Sequence, residues 1–410
     1  MNLPQALTRR FGRRVKGSVA DLPPNVLLLG ITSFFADVST EMIYPIVPIF
    51  LTSTLGAPVA AVGLIEGIAE STASLMKLVS GWWSDKVAKR VPLVMGGYGL
   101  AACGKIILGL AYSWPIVLLG RFVDRFGKGV RGSPRDALIG DSTPPELRGK
   151  AFGLHRSMDT AGAVVGPLLG LGLVALLNEH LRTVFLIAAV PGFLSIASLL
   201  LVREVRAASS SLAPEAKAPL TLKGLDPKLV VFLAASLVFA LGNSSDIFLI
   251  LRAKDLGLST TAAVLAYVVY NFVYMSAAFP AGIVSDKIGR WRVFLLGLLI
   301  FAVAYAGFAA ADRSAYVWPL FAVYGLYIAL TEGVAKAFVT DLAPPERRAS
   351  LLGLHGMIIG LGALVASVAA GVLWDEVGQW APFALGAAGA AAAAVMLTGL
   401  VLFAPSQRTA

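Results

Sequence analysis

Charge and cysteine are what this sequence has least of. Only 14% of its 410 residues are Asp, Glu, Lys or Arg, against 57% hydrophobic residues, and the mean hydropathy is +0.78. A water-soluble fold of this length needs more polar surface, so a polytopic membrane protein is expected. The single cysteine, Cys103, excludes disulfides within the chain and cysteine-based metal sites. A phosphate-binding loop is also missing: Gly99 to Gly104-Lys105 comes nearest, but Ile106 stands where a hydroxyl residue is needed and the run lies in an apolar helix. ATP is therefore not the expected energy source. No Ser/His/Asp set, metal-spaced histidine cluster or cysteine nucleophile shares one membrane depth, so neither an enzyme nor a cofactor or metal site is expected. The first apolar run begins after Pro24 without a small-residue cleavage site, as a retained helix rather than a signal peptide would.

What the sequence does have is apolar length. At about 20 residues per bilayer crossing it holds about a dozen helices with short loops and leaves no expected room for a separate soluble domain. Apolar runs predict helices over 26–51, 59–82, 92–111, 115–138, 150–177 and 183–203, then 229–252, 259–283, 293–311, 317–340, 350–374 and 382–404. The expected fold is thus an all-α polytopic membrane protein of 12 transmembrane helices. Its parts are a basic segment 1–25, six-helix bundles over 26–203 and 229–404, a linker over 204–228 and a tail 405–410. The linker's Ala, Ser, Pro and Lys suit a flexible connector. Forty-two glycines would weaken helices in water, but in a membrane they let helices approach closely. The net charge of +10 is not arranged for nucleic acid. Lys and Arg gather at the amino terminus, at 203–228 and at alternate loops, while the opposite loops hold little beyond Arg182, Arg252, Lys254 and Arg313. The positive-inside rule then puts both termini in the cytoplasm.

Two stretches occur twice. Gly81-Trp-Trp-Ser-Asp85-Lys86-Val-Ala88-Lys89-Arg90 and Gly282-Ile-Val-Ser-Asp286-Lys287-Ile-Gly289-Arg290 each join two apolar runs. A glycine four residues before an aspartate leaves a thin helix end where another helix can come close, and the Asp-Lys pair caps and charges the turn. Asp141-Ser-Thr-Pro-Pro-Glu146-Leu-Arg148, followed by Gly153-Leu-His155, recurs as Asp341-Leu-Ala-Pro-Pro-Glu346-Arg-Arg348 and Gly353-Leu-His355 at a constant offset of 200 residues. The hinge residues resemble the signature of the major facilitator superfamily of secondary transporters, departing from it at Ala88. The resemblance implies two pseudo-symmetric halves around a central cavity, a functional monomer, and hinges whose Gly81, Asp85, Lys86, Arg90, Gly282, Asp286, Lys287 and Arg290 gate the cytoplasmic side. On the fifth helix, Gly162, Gly166 and Gly170 share one face beside Pro167. That face either serves packing or, by resemblance to the antiporter signature of drug and proton exchangers, marks export; the stretch after His355 lacks Gly-Pro.

Ionisable residues at bilayer depth are costly and mark function. On the first helix Asp37 and Glu41 share a face with Pro45 and Pro48, and on the second Glu66, Glu70 and Lys77 share another. Lys105 stands alone on the third. The fourth carries Arg121, Asp124, Arg125, Lys128, Arg131 and Arg135. Arg131 and Arg135, near the cytoplasmic end, are expected to pair with Asp85 as gate latches. Arg121 resembles the helix 4 arginine of proton-coupled members. With Asp124 and Arg125 it is expected at the cavity or in coupling, rather than in a buried network that only fixes packing. The fifth helix adds Arg156 and Asp159, and the seventh Asn243 and Asp246; the acids of the first and seventh are the candidate proton sites. Tyr267, Tyr270, Asn271 and Tyr274 share a face of the eighth, for helix packing or for stacking on substrate. Glu332 and Lys336 on the tenth, four apart, are expected to pair with each other. His155 and His355 are expected as structural caps rather than metal ligands.

These features predict a secondary transporter working by alternating access, most simply a proton-coupled exporter in a bacterial inner membrane. Its partners would be the lipid bilayer, a small molecule and protons, with no nucleic acid. Lys77, Lys105, Arg121, Arg125 and Lys128 point to a substrate with an anionic group, a carboxylate or a metal-carboxylate chelate. The rivals are uptake of an organic anion by proton symport, a membrane-embedded lipid-handling protein or enzyme, and a sensor, which would need an appended signalling domain.

Overall fold

The computed structural model describes residues 19–44, 46–47, 50–57, 59–87, 89–178, 180–205 and 225–403. Most of the basic amino-terminal segment, most of the linker, the tail, and Pro45 and Pro48 fall outside them. Among the described residues there is no strand. The chain forms α1 (Pro24–Glu41), α2 (Val59–Val87), α3 (Val91–Gly109), α4 (Trp114–Ser142), α5 (Arg148–Leu176) and α6 (Leu181–Leu199), then α7 (Pro227–Ala240), α8 (Ile247–Asp255), α9 (Thr260–Ile288), α10 (Arg290–Ala310), α11 (Val317–Leu342), α12 (Arg348–Glu376) and α13 (Ala381–Phe403). Prolines open α1, α3, α4 and α7, where a missing N–H has no helical partner to lose. Among the described residues, eight helices, α3, α5, α6 and α9 to α13, are long and apolar enough to cross a membrane. α2 and α4 have 29 residues each, but carry the acids and bases that line the interior.

Two expected helices are broken. The segment 229–252 is α7 and α8 with a non-helical step at Gly242–Asp246 between them. Gly242 and the run Asn243-Ser-Ser-Asp246 favour side-chain bonding over a helical ladder, and the Ser245 N–H donates to the Ser367 hydroxyl at 2.9 Å. Irregular backbone at membrane depth is tolerated where it lines a cavity, and Ser245 and Asp246 do so. The first segment, expected to run to 51, ends as a regular α-helix at Glu41 and resumes as a π-helical turn over Phe50–Thr54.

The first six helices and the last seven form two halves. In the first, α1 packs on α5 and α6, α3 on α4 and α6, and α2 on α4; in the second, α11 packs on α9 and α10, and α13 on α7 and α10. The halves meet along α2 against α12 and α5 against α9. The second half has the larger apolar core, with Phe301 and Tyr305 stacked 3.9 Å apart at its centre. The charges of α2 and α4 divide the core of the first half into two clusters.

Candidate functional site

At the hinge end each half is fastened to the other through a helix start. Asp85 accepts hydrogen bonds from the backbone N–H of Ala349 and Ser350 (3.2 and 2.7 Å) and from the Ser350 hydroxyl (2.7 Å). Its carboxylate therefore sits on the amino end of α12, where free N–H groups and the helix dipole favour an anion. Asp286 does the same to α5, accepting from Gly149 and Lys150 at 2.9 and 2.7 Å. Arg90 braces the first latch, 3.2 Å from Asp85 and 2.7 Å from Asp141. Arg290 braces the second, on Asp286 and 3.1 Å from Asp341. The 200-residue repeat reappears as reciprocal ion pairs between halves, Arg348 on Asp141 and Arg148 on Asp341 at 2.7 Å. A Cβ on Gly81 would run into the Ala349 carbonyl, and one on Gly282 into that of Gly149. Lys86 and Lys287 are exposed, Lys86 lying 4.9 Å over the Trp82 ring, and both stand apart from these pairs.

The pairing expected between Asp85 and Arg131 or Arg135 is not formed. The Arg131 guanidinium lies 3.9 Å over the Tyr98 ring, and Arg135 donates to Asp136 at 2.9 Å and to Ser33 at 3.0 Å. Both residues sit a helical turn or more inward of the latch, too deep to reach it.

They belong instead to a cavity of about 250 Å³ between the halves. α1 supplies Asp37, α2 Lys77, and α4 Lys128, Arg131, Arg135 and Asp136; α5 adds Arg156 and Asp159, and α11 Glu332 and Lys336. Most of these charges are paired. Asp136 holds Arg135 at 2.9 Å and Lys336 at 2.6 Å, while Arg156 bridges Asp159 at 2.6 Å and Glu332 at 2.5 Å. Glu332 also accepts from the Tyr274 hydroxyl at 2.5 Å. Glu332 and Lys336 thus do not pair with each other, because each meets an opposite charge on the facing half. The side chains of Asp37, Lys77 and Lys128 make no hydrogen bond or ion pair among the described residues.

The remaining charges of α4 lie elsewhere. Lys105, Arg121, Asp124 and Arg125 are all less than 5% exposed. Asp124 lies 2.7 Å from Lys105, 4.0 Å from Arg121 and 3.8 Å from Arg125, and Arg125 reaches the largely exposed Glu70 at 3.0 Å. Arg121, Asp124 and Arg125, expected at the cavity or in coupling, are packed with Lys105 within the first half, where one carboxylate is shared by several cations. The Glu66 side chain falls outside those described.

A second pocket, of about 400 Å³, lies farther from the hinges, between α1, α5, the α7–α8 break and α9. Glu41, Asp246, Tyr267 and Asn271 give it polar points on walls that include Pro167 and Leu168. Asp246 accepts from the hydroxyls of Tyr270 (3.2 Å) and Tyr324 (2.7 Å), and Asn271 donates to the Tyr267 carbonyl at 3.1 Å. The glycine stripe packs α5 onto α1: a Cβ on Gly162 would lie 2.6 Å from the Phe34 carbonyl oxygen, one on Gly166 2.8 Å from Glu41 Cβ, and one on Gly170 would strike the Met42 carbonyl. Close packing here fixes where α1 holds Asp37 and Glu41. His155 and His355 are buried in the bundle rather than capping loops, His155 2.9 Å from the Ser33 hydroxyl and His355 stacked 5.7 Å from Phe232. His355 also lines the charged cavity, and the hydroxyl that His155 contacts is the one to which Arg135 donates.

The model of the Major Facilitator Superfamily matches residues 29–251 and again residues 231–410, once for each half. The chain belongs to that superfamily. An uncharacterised transporter of the superfamily from Methanocaldococcus jannaschii is 39% identical over 360 residues, 86% of this chain and 89% of that one. The multidrug resistance protein MdtH of Aeromonas hydrophila is 28% identical over 353 residues, 85% of each chain. The Escherichia coli fucose:proton symporter FucP shares the fold at a TM-score of 0.78 and 13% identity, over 91% of this chain and 97% of that one. The protein is a multi-pass membrane transporter of the superfamily's two-half fold, in a family that carries small molecules across membranes.

Some residues of this transporter escaped sequence reasoning. Asp141, Arg148, Asp341 and Arg348 stood out only as repeated loop residues, although the constant offset across two halves was a signal that they face one another. Asp136 was passed over; it lies 200 residues before its partner Lys336.

Proposed function

We propose that this superfamily member moves a small anionic molecule by alternating access, coupled to protons, with the 250 Å³ cavity as its substrate site. The observation that carries the reading is the residue of charge left there. Lys77, Lys128, Arg131 and Asp37 face the cavity without an ion-pair partner among the described residues, while the other charges on its wall hold one another. The basic loops at the hinge end support a cytoplasmic position for it, and with it cytoplasmic termini in a bacterial inner membrane. Asp85 and Asp286 then latch the cytoplasmic side, and the conformation is the outward-facing one.

Asp37 is the proposed proton carrier. An anion arriving at Lys77, Lys128 and Arg131 favours a proton on Asp37, and a proton there removes a negative charge that would repel the anion. Ligands that favour each other travel together, so this arrangement supports cotransport. A second reading is export in exchange for protons. It is favoured by the relatives named multidrug resistance proteins and by the glycine stripe that only the first half has. Internal pH in proteoliposomes separates the two. Cotransport acidifies the lumen when carboxylates are added outside, exchange makes it alkaline, and Asp37→Asn abolishes either change. Flux of lipophilic cations alone, undisturbed by Lys128→Gln, overturns the anionic substrate.

A further inference from the structure

Pairing sorts the charges on the cavity wall into two sets. Arg135 and Lys336 share Asp136, while Asp159 and Glu332 share Arg156; three cations meet three carboxylates, so this set is neutral. What remains is Lys77, Lys128 and Arg131 against Asp37 alone: three cations and one carboxylate, a formal excess of two positive charges with Asp37 ionised and of three once it takes a proton. Arg131 is only 4% exposed, and among the described residues its Nε and Nη1 have no hydrogen-bond partner. Charge held this far from water costs several kcal/mol per ion unless something of opposite sign arrives.

Resting on the anionic reading of this site, we infer that the ligand is a dianion of small size, with two negative charges on oxygen. The volume limits its length. About 250 Å³ is below the ~300–1,000 Å³ of pockets that take drug-sized ligands. A four-carbon dicarboxylate or a short phosphate monoester suits a cavity of that size better than a drug-sized molecule does. Lys77 on α2 and Lys128 on α4 approach from different helices, and Arg131 lies one turn beyond Lys128 on the same face of α4. A dianion is thus met by separate cations at its two charges, rather than by one fork. Each cation removed lowers the excess by one and moves the preference from dianion to monoanion, whereas loss of a merely structural lysine weakens both alike.

The test uses matched pairs with the purified full-length protein: succinate against its monoamide succinamate, and methyl phosphate against methyl sulfate, with binding followed by calorimetry. In at least one pair the dianion is expected to bind about tenfold more tightly. Lys77→Gln and Lys128→Gln each reduce that ratio to about threefold or less by weakening the dianion, and retained monoanion binding reports that the variant is folded. A succinate preference identifies a dicarboxylate and a methyl phosphate preference a phosphate ester; either supports the inference. Equal binding within both pairs overturns the double charge and leaves the anionic reading standing. If all four anions fail to bind, or only tetraphenylphosphonium binds, both fall.

Discussion

Replacing Asp85 by Asn takes a negative charge off the amino end of α12 while keeping the side chain's shape. The carboxylate accepts three hydrogen bonds from Ala349 and Ser350, all across the boundary between halves. An amide keeps one accepting oxygen and turns an NH2 group toward backbone N–H groups. The loss is about one charge-assisted hydrogen bond, ~1.5–3 kcal/mol, plus ~0.5–1 kcal/mol of helix-dipole interaction. A total of about 2–4 kcal/mol lowers the ratio of closed to open hinge ends by roughly 30- to 1000-fold, at 1.4 kcal/mol per tenfold change. Asp286 still holds α5, so the hinge end loosens without losing its fold. Spin labels at Lys89→Cys and Lys287→Cys, both exposed positions, in a Cys103→Ser background read the change as a distance distribution between halves. Wild type is expected to give one short population, and Asp85→Asn to add a longer one. Asp286→Asn should do the same, and Lys86→Gln, outside the latches, should not. An unchanged distribution in both aspartate variants refutes the latch.

Three further outcomes follow from the same geometry. Gly81→Ala and Gly282→Ala put a methyl group onto a facing carbonyl, and each is expected to cut transport at least tenfold in a flux assay, while Gly96→Ala and Gly99→Ala, with open space around them, leave it unchanged. Arg348→Asp is expected to abolish transport by setting two acids against each other, and Arg348→Asp with Asp141→Arg to restore part of it; no recovery in the double variant would remove the pair's role. Asp124→Asn leaves Lys105, Arg121 and Arg125 around an uncharged amide and is expected to cost about 3–5 kcal/mol of stability, read as a lower unfolding temperature in detergent, whereas Asp37→Asn, whose carboxylate has no ion-pair partner, should leave that temperature nearly unchanged.

Much of the fold was legible because membrane helices announce themselves by length and apolarity, and because the hinge occurs twice. The broken seventh segment was legible in principle too: Gly242 followed by Asn-Ser-Ser-Asp is a poor helix, but its apolar flanks outweighed it. At the site, sequence reasoning found which residues are charged and which helix faces they share. It could not find their partners. Spacing of four on one helix suggested Glu332 with Lys336, whereas α11 turns both toward the other half, to Arg156 and Asp136. Depth misled in the same way for Arg131 and Arg135, which sit inward of the hinge they were matched to. Arg121 and Lys128, seven apart on α4 and so on one face, part company: the one is buried and the other opens on the cavity. Periodicity gives one helix its faces; only packing says what each face meets.

The latch residues and the cavity residues answer differently to an exchange of the two halves. Arg148 and Asp141 would fasten a first half to a second copy of itself as well as they fasten it to Asp341 and Arg348, since each half carries both members of the pair. Position 136 and its counterpart 336 would not: they hold Asp and Lys, and two first halves would set aspartate against aspartate. The moving joint is that of a symmetric dimer and the interior that of an asymmetric one. The joint can therefore work like a two-fold bearing whatever the cargo, while the cavity can change its charge pattern one half at a time without disturbing how the halves rock.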